Sequence, residues 1–99
     1  MRHRLRYRFG GQKGLIGIRS LPPNDALVFH ATGGSQTITT EGVLMPFDAI
    51  FLFNGKIVRI LSNLQPDSGL YNPGVAFTTL IETNAGWAAA NGIKEGSSW

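Results

Sequence analysis

The clearest pattern of apolar and polar positions lies in residues 42–61, GVLMPFDAIFLFNGKIVRIL, where two apolar runs flank an Asn-Gly pair. Both central residues of a two-residue hairpin turn need positive φ, which Asn54 tolerates and Gly55 adopts without steric cost. The pattern therefore predicts a β-hairpin, with strands at about residues 47–53 and 56–61.

Shorter apolar or β-branched runs predict the remaining strands, at residues 2–9, 26–29, 36–40 and 75–81, while residues 14–18 fit either a short strand or a compact turn. Prolines and glycines separate these runs. Residues 65–73 form a long polar connection, of a length that is more often functional than accidental in a compact domain. Residues 93–99 are expected to return as a loop or a final short strand.

One segment favours a helix. Residues 85–90 are rich in Ala, Asn84 is a candidate N-cap, and Asn91-Gly92 is a typical helix stop. Because two turns are too short to be stable in isolation, Trp87 is the expected packing anchor. The chain is therefore predicted to be mostly β: a small antiparallel sandwich or barrel-like domain of about six short strands, with one short helix near the C-terminus.

Length and composition agree with one domain over residues 1–99. The chain has 42% hydrophobic and 15% charged residues, which is typical of a packed globule. It has no Cys, so disulfides and thiolate chemistry are excluded. No apolar run follows the basic start, and no 18-residue apolar segment is present, which predicts a cytoplasmic protein without a membrane span. No cofactor motif is present.

The charge is concentrated at the start of the chain, where residues 1–19 hold six of the nine basic residues and none of the six acidic ones. Arginines alternate with His, Leu, Tyr and Phe, so a strand would carry four guanidiniums on one face. Those arginines are Arg2, Arg4, Arg6 and Arg8. They fit either a polyanion site, including nucleic acid, or the solvated face of an edge strand. The edge strand is favoured, and Tyr7 and Phe9 are then expected to face the core.

Three blocks of residues occur in a characteristic order. The first has Gly14-Leu15-Ile16, Leu21-Pro22 and Leu27-Val28-Phe29; the second has TEGV at residues 40–43 and PFDAIFL at 46–52; the third has LIE at 80–82, AG at 85–86 and GIKEG at 92–96. This series resembles the DUF192 family of small bacterial and archaeal proteins over roughly residues 14–97. The resemblance implies a compact β-rich domain whose biochemical activity is not established.

The chain also departs from the family pattern. Many members carry an aromatic residue or His ahead of the Pro-hydrophobic-Asp step, where this chain has TTEGV at residues 39–43. Ser97 stands where an acid usually follows the last Gly of the series. These differences are typical of a divergent or minimal member.

Asp48 is the first candidate site residue, because it lies between apolar neighbours at the start of a predicted strand and is expected to be partly desolvated. A structural role would have it accept backbone N–H bonds or pair with an arginine such as Arg19. A functional role would make it a general acid or base, or a ligand contact. The structural role is favoured.

Glu82 follows an apolar pair and precedes the predicted helix, so it raises the same question. If Asp48 and Glu82 met across the sheet, they could form a paired-carboxylate catalytic site or a site for a hard cation. His3 and His30 have no metal-ligand spacing, and no serine lies in a nucleophile elbow. The sequence thus indicates no metal site.

Three functional hypotheses remain. The favoured one is a non-catalytic module that binds a small molecule or a protein partner, in a pocket lined by Phe47, Trp87 and Asp48. The second is an enzyme that uses Asp48 with Glu82 or Arg19, and the third is a polyanion-binding protein that uses the arginine face. Exposed strand edges are also compatible with formation of a dimer.

Overall fold

The computed structural model describes residues 5–11, 14–31 and 37–99. Within these ranges the chain forms seven strands and one short helix. In chain order they are β1 (Arg6–Phe9), β2 (Asp25–His30), β3 (Ile38–Thr39), β4 (Phe47–Phe53), β5 (Lys56–Leu64), β6 (Leu70–Tyr71), β7 (Thr79–Asn84) and α1 (Trp87–Ala90). The prediction of a mostly β domain with a short helix near the C-terminus is confirmed.

Five strands form the main sheet in the order β1-β2-β7-β4-β5, and β3 pairs with β6 in a small second sheet. Every described neighbouring pair is antiparallel except β1 with β2, which run parallel. Residues 10–24 connect these two strands, and a connection of that length is what a parallel crossover requires. The expected antiparallel arrangement therefore holds for all of the described pairs but this edge pair.

The interior strands of the main sheet are covered on both faces. Along β4, Phe47, Ala49 and Phe51 belong to one apolar cluster, whereas Ile50 and Leu52 belong to another, as the alternation of side chains along a strand requires. We call the first face the loop-covered face, because residues 15–21, 43–45 and 77 pack on it. We call the second the helix-covered face, because α1 and residues 93 and 99 pack on it.

The β4-β5 hairpin forms as predicted. Asn54 and Gly55 at its turn have φ of 49° and 84°. β5 extends to Leu64, three residues beyond the predicted end, and register shifts mark bulges in its pairing with β4. These bulges bend the strands, which lets β5 continue alongside the start of β4.

Two predicted element starts are wrong. β7 begins at Thr79 rather than at residue 75, because Phe77 leaves the strand direction to pack edge-on against Phe51 with ring centroids 4.9 Å apart. The helix begins at Trp87 after Gly86, which has φ of 88°, so Asn84 is not its N-cap. The amide of Asn84 instead donates to two backbone carbonyl oxygens, those of residues 21 and 22.

The edge position of β1 is confirmed, but the expected burial of its aromatic residues is wrong. Tyr7 is 45% exposed and Phe9 is 83% exposed. β1 is one of the two edge strands of the main sheet, so its side chains have a neighbouring strand on one side only. The Tyr7 hydroxyl accepts a hydrogen bond from the indole N–H of Trp99 at 3.2 Å. Arg2 and Arg4 lie outside the described residues.

A close contact between Gly10 and Phe29 gives a stability prediction. A Cβ on Gly10 would lie 1.9 Å from Cε2 of Phe29, whereas a Cβ on Gly11 would have no atom within 4 Å. Gly10→Ala should therefore lower the free energy of unfolding by about 1–3 kcal/mol, because the ring must move within a packed cluster. Gly11→Ala is the matched control and should change it by less than about 0.5 kcal/mol. Urea denaturation measures both, and equal stability of the two variants would contradict the contact.

Candidate functional site

Asp48 is buried and bonded to three backbone N–H groups. Its Oδ1 accepts from Asn63 at 2.9 Å, and its Oδ2 accepts from Gly86 at 3.1 Å and from Ala88 at 3.0 Å. The side chain is 1% exposed. It therefore joins β5 to the turn that begins α1, as the structural role predicted from the sequence required.

Asp48 takes this position because of the local sequence. It lies on β4 between Phe47 and Ala49, which face the loop-covered side, so its carboxylate faces the helix-covered side. Helix α1 has no side-chain cap at its own first residue, and Asp48 supplies the acceptor that its first N–H groups need. The predicted alternative partner, Arg19, is exposed, and the described residues include no ion pair with it.

Glu82 lies on the opposite face of the same sheet. Its register partners are Leu27 on β2 and Ala49 on β4, and both belong to the loop-covered cluster. Because partners in register point to the same face, the Glu82 side chain faces the loop-covered side. Asp48 and Glu82 are therefore on opposite faces, and the structure does not bring the proposed carboxylate pair together.

Glu82 lines a cleft of about 560 Å³ between the loop-covered face and the segments above it. Such a volume is in the usual range of small-molecule sites. The walls are mostly apolar side chains and glycine backbone. They include Gly10, Gly14, Leu15, Phe29, Phe47, Phe77 and Leu80.

The pocket predicted from Phe47, Trp87 and Asp48 is not formed. Phe47 lines the Glu82 cleft, whereas Trp87 packs with the helix-covered cluster and lies 5.9 Å from Trp99 between ring centroids. The structure thus brings together two of the candidate residues, Phe47 and Glu82. It separates them from Trp87 and Asp48 by the thickness of the sheet.

Burial determines the electrostatics of Glu82. The side chain is 6% exposed, and no described residue forms a hydrogen bond or an ion pair with its carboxyl group. Desolvation raises its pKa from 4.5 to about 7. The group therefore changes its protonation state near neutral pH.

Asp25 is a buried acid that the sequence reasoning did not single out. It is 3% exposed, and its Oδ2 lies 2.6 Å from Nη2 of Arg8, while its Oδ1 lies 4.0 Å from Nε of Arg6. Two features of the sequence could have indicated it: Asp25 directly precedes an apolar strand, and the arginines of the predicted cationic strand had no assigned acidic partner. Two of the four arginines of the predicted cationic face are thus oriented towards one carboxylate of the chain.

The glycines that line the cleft were also missed as site residues. Because they have no side chain, Gly10 can lie against the Phe29 ring, and Gly14 can lie close to both that ring and the Glu82 carboxyl. A Cβ on Gly14 would lie 3.3 Å from Phe29 and 3.8 Å from Oε1 of Glu82. In the sequence they read only as turn residues. Their packing role depends on which side chains the sheet register sets opposite them.

Within residues 5–11, 14–31 and 37–99, no three His, Asp or Glu side chains are grouped so that they could hold a metal ion. No helix there is long and apolar enough to cross a membrane.

Fold and site together define a compact, mostly β domain with one carboxyl group in an apolar cleft. The DUF192 family model, which describes an uncharacterized ACR, matches residues 8–99. The chain belongs to this family, and the match extends the resemblance seen in the sequence at both of its ends.

Two solved structures are similar in fold. A protein of unknown function from Novosphingobium aromaticivorans has a TM-score of 0.87 and 22% identity, over 95% of this chain and 73% of that one. A protein from Sinorhizobium meliloti, described as a "putative transcription regulator", has a TM-score of 0.85 and 20% identity, over 95% and 79% of the two chains. No curated protein matches this chain. At these identities the likeness establishes the fold.

The Asp48 contacts predict a large effect on stability. In Asp48→Asn one acceptor oxygen is replaced by a donor that faces backbone N–H groups, so the free energy of unfolding should fall by about 2–4 kcal/mol. Asp67→Asn is the matched control, because Asp67 is exposed and accepts one N–H, that of Gly42 at 2.8 Å. The control should lose less than about 1 kcal/mol in urea denaturation. Equal losses would show that the Asp48 bonds do not join β5 to α1.

The raised pKa of Glu82 predicts a pH dependence of stability. Between pH 4.5 and 7 the folded state keeps the Glu82 proton and the unfolded state has lost it, so the free energy of unfolding falls as pH rises. This loss of stability, which comes from ionising the buried Glu82 carboxyl, is absent below pH 4.5 and reaches about 3 kcal/mol above pH 7. Glu82→Gln should remove it, so the variant should gain stability over the wild type from pH 5 to pH 8. A constant difference in urea denaturation across that range would contradict the shift.

Proposed function

We propose that this protein is a non-catalytic module that binds a small, largely apolar molecule in the Glu82 cleft. The observation that carries the proposal is the Glu82 carboxyl group, which no described residue bonds and which lines a cleft of about 560 Å³. The residue is 6% exposed, so its carboxyl group is largely desolvated, and a ligand that bonds to it would offset part of that cost.

The cleft walls support a ligand with an apolar body. Three phenylalanines, at positions 29, 47 and 77, line the cleft together with aliphatic side chains. Small-molecule sites commonly combine such walls with a few polar groups that fix the orientation of the ligand. Glu82 is well suited to be that orienting group, with Thr37 and Thr39 as further polar groups of the lining.

The separation of the two carboxyl groups supports binding over the acid-base hypothesis. Paired carboxyl catalysis needs both groups on one substrate, and Asp48 and Glu82 lie on opposite faces of the sheet. Both oxygens of Asp48 already accept backbone N–H bonds. Arg19 is exposed and is not among the residues that line the cleft.

Polyanion binding through the arginine face stays a separate prediction. Arg6 and Arg8 lie on the exposed edge strand, and the fold neighbour from Sinorhizobium meliloti is described as a "putative transcription regulator". The pairing of Arg8 with Asp25 reduces the charge that this face offers to a phosphate backbone. We therefore favour the cleft as the ligand site. A protein partner and a dimer remain further expectations that follow from the exposed strand edges.

A cleft-blocking variant tests the proposal. Thr37 is exposed and lines the cleft, so Thr37→Trp should obstruct the opening without disturbing the core. Apolar fragments with one hydrogen-bonding group are screened by thermal unfolding and by amide chemical shifts. A fragment at 100 times its Kd should stabilise the wild type by about 2.7 kcal/mol, which raises Tm by about 10–20 °C.

Ser62→Trp is the control for this variant. Ser62 is an exposed residue of β5, and it does not line the cleft. A fragment that stabilises the wild type and the Ser62 variant, but not the Thr37 variant, supports the cleft. If shifted amides lie on the helix-covered face, or if Thr37→Trp binds as well as the wild type, the ligand site is elsewhere.

A further inference from the structure

On the basis of the proposed ligand-binding function, we infer that the Glu82 cleft selects a ligand that carries a protonated amine on an apolar body. This inference concerns the charge of the ligand, which the proposed function leaves open. It follows from where the Glu82 carboxyl lies, which charged groups surround it, and which chemistry satisfies it.

Among residues 5–11, 14–31 and 37–99, no side chain bonds to the Glu82 carboxyl group. Ala49 is its register partner on β4, and Leu27 is its partner on β2, so neither register partner offers it a polar side chain. Above the sheet, Gly14 approaches without a side chain, at φ of 53°. The neighbours in register and above therefore leave room for the head group of a ligand.

Few charged groups of the described residues face this region. Asp25 and Leu27 are on the same face of β2, and Arg8 is directed to Asp25 at 2.6 Å. Arg6 also approaches Asp25, at 4.0 Å, and its side chain is 79% exposed. On the lining itself, His30 is the other titratable side chain, and it is exposed.

This arrangement separates three classes of ligand. An anionic head group would meet Glu82 as a like charge in a desolvated site, which is unfavourable. A neutral hydroxyl could form a hydrogen bond with Glu82 but would not compensate its charge. A protonated amine would form a charge-assisted hydrogen bond and would neutralise the carboxylate, and such bonds are about twice as strong as neutral ones.

The walls determine what the amine would be attached to. Phe29, Phe47 and Phe77 line the cleft, and Phe77 already packs edge-on with Phe51 on the same face. An aromatic or aliphatic body of moderate size would pack against such rings. The ligand class is therefore an arylalkylamine or alkylamine rather than a polyamine, which would need further acidic groups.

Protonation of Glu82 links this selectivity to pH. Because burial raises the pKa of Glu82 to about 7, the free protein must release a proton to bind an ammonium group at low pH. The ionised fraction rises about tenfold from pH 6 to pH 8. A simple alkylamine has a pKa near that of Lys, about 10.4, so it stays protonated over this range.

The test uses two probes of nearly identical shape, 2-phenylethylamine and 2-phenylethanol, with phenylacetate as the anionic comparison. Isothermal titration at pH 6 and pH 8 measures the affinity of the full chain for each. We expect the amine to bind at least tenfold more tightly than the alcohol at pH 8. Its affinity should rise about tenfold from pH 6 to pH 8, while that of the alcohol should not rise.

Glu82→Gln and Glu95→Gln make the matched pair of variants, because they remove the same charge. Glu95 does not line the cleft: its Oε2 accepts from the N–H of Ile60 at 2.9 Å and lies 3.8 Å from Nε of Arg59, and an amide oxygen can accept from both groups. Glu82→Gln should lose both the preference for the amine over the alcohol and the pH dependence of amine binding. Glu95→Gln should behave as the wild type does.

The outcomes separate the inference from the proposed function. Equal affinity for amine and alcohol, a flat pH profile for the amine, or tighter binding of phenylacetate would overturn the amine inference and leave the cleft as a ligand site. If no probe of any charge binds in the cleft, the proposed function fails as well. The wild-type pH profile tests the inference even if Glu82→Gln does not fold.

Discussion

The buried carboxylate of Asp48 holds together parts of the chain that would otherwise meet only through apolar packing. Its two oxygens accept N–H groups from β5 and from the first turn of α1, which are 15 and about 40 residues away in sequence. A four-residue helix has too few internal hydrogen bonds to be stable without tertiary support. This one side chain therefore helps to fix the bulged hairpin relative to the short helix, together with the apolar packing of α1 on the helix-covered face.

The alternation of side chains along a strand determines the different surroundings of two buried carboxyl groups, Asp48 and Glu82. Asp48 and Glu82 lie on neighbouring strands, within one residue of register, yet that single residue directs them to opposite faces. One carboxylate meets backbone donors and becomes structural. The other meets apolar walls and glycine, and desolvation raises its pKa to about 7. Two carboxyl groups in the same sheet thus acquire different properties from their surroundings.

Edge and interior positions of the sheet behave differently for a related reason. The alternation of Arg with aromatic residues in β1 correctly indicated an edge strand, yet its aromatic side chains are exposed because β1 has a strand on one side only. Interior strands have neighbours on both sides and covering segments on both faces. Apolar alternation therefore predicts burial in β4 and β7 but not in β1, and it does not specify how far the covering segments extend.

The sequence by itself determined those elements that depend only on residues adjacent in the chain. The Asn54-Gly55 turn, the strands on either side of it, the short helix after β7 and the family resemblance all follow from neighbouring residues. The apolar neighbours of Asp48 indicated that it is desolvated and left open whether backbone N–H groups or an arginine bond to it. The tertiary structure decided the parallel pairing of β1, the late start of β7, the partners of Asp48 and the cleft around Glu82. These features depend on register and on contacts between segments far apart in the chain. A shift of one residue in register would exchange the two faces, and the sequence pattern does not encode which face each distant segment covers.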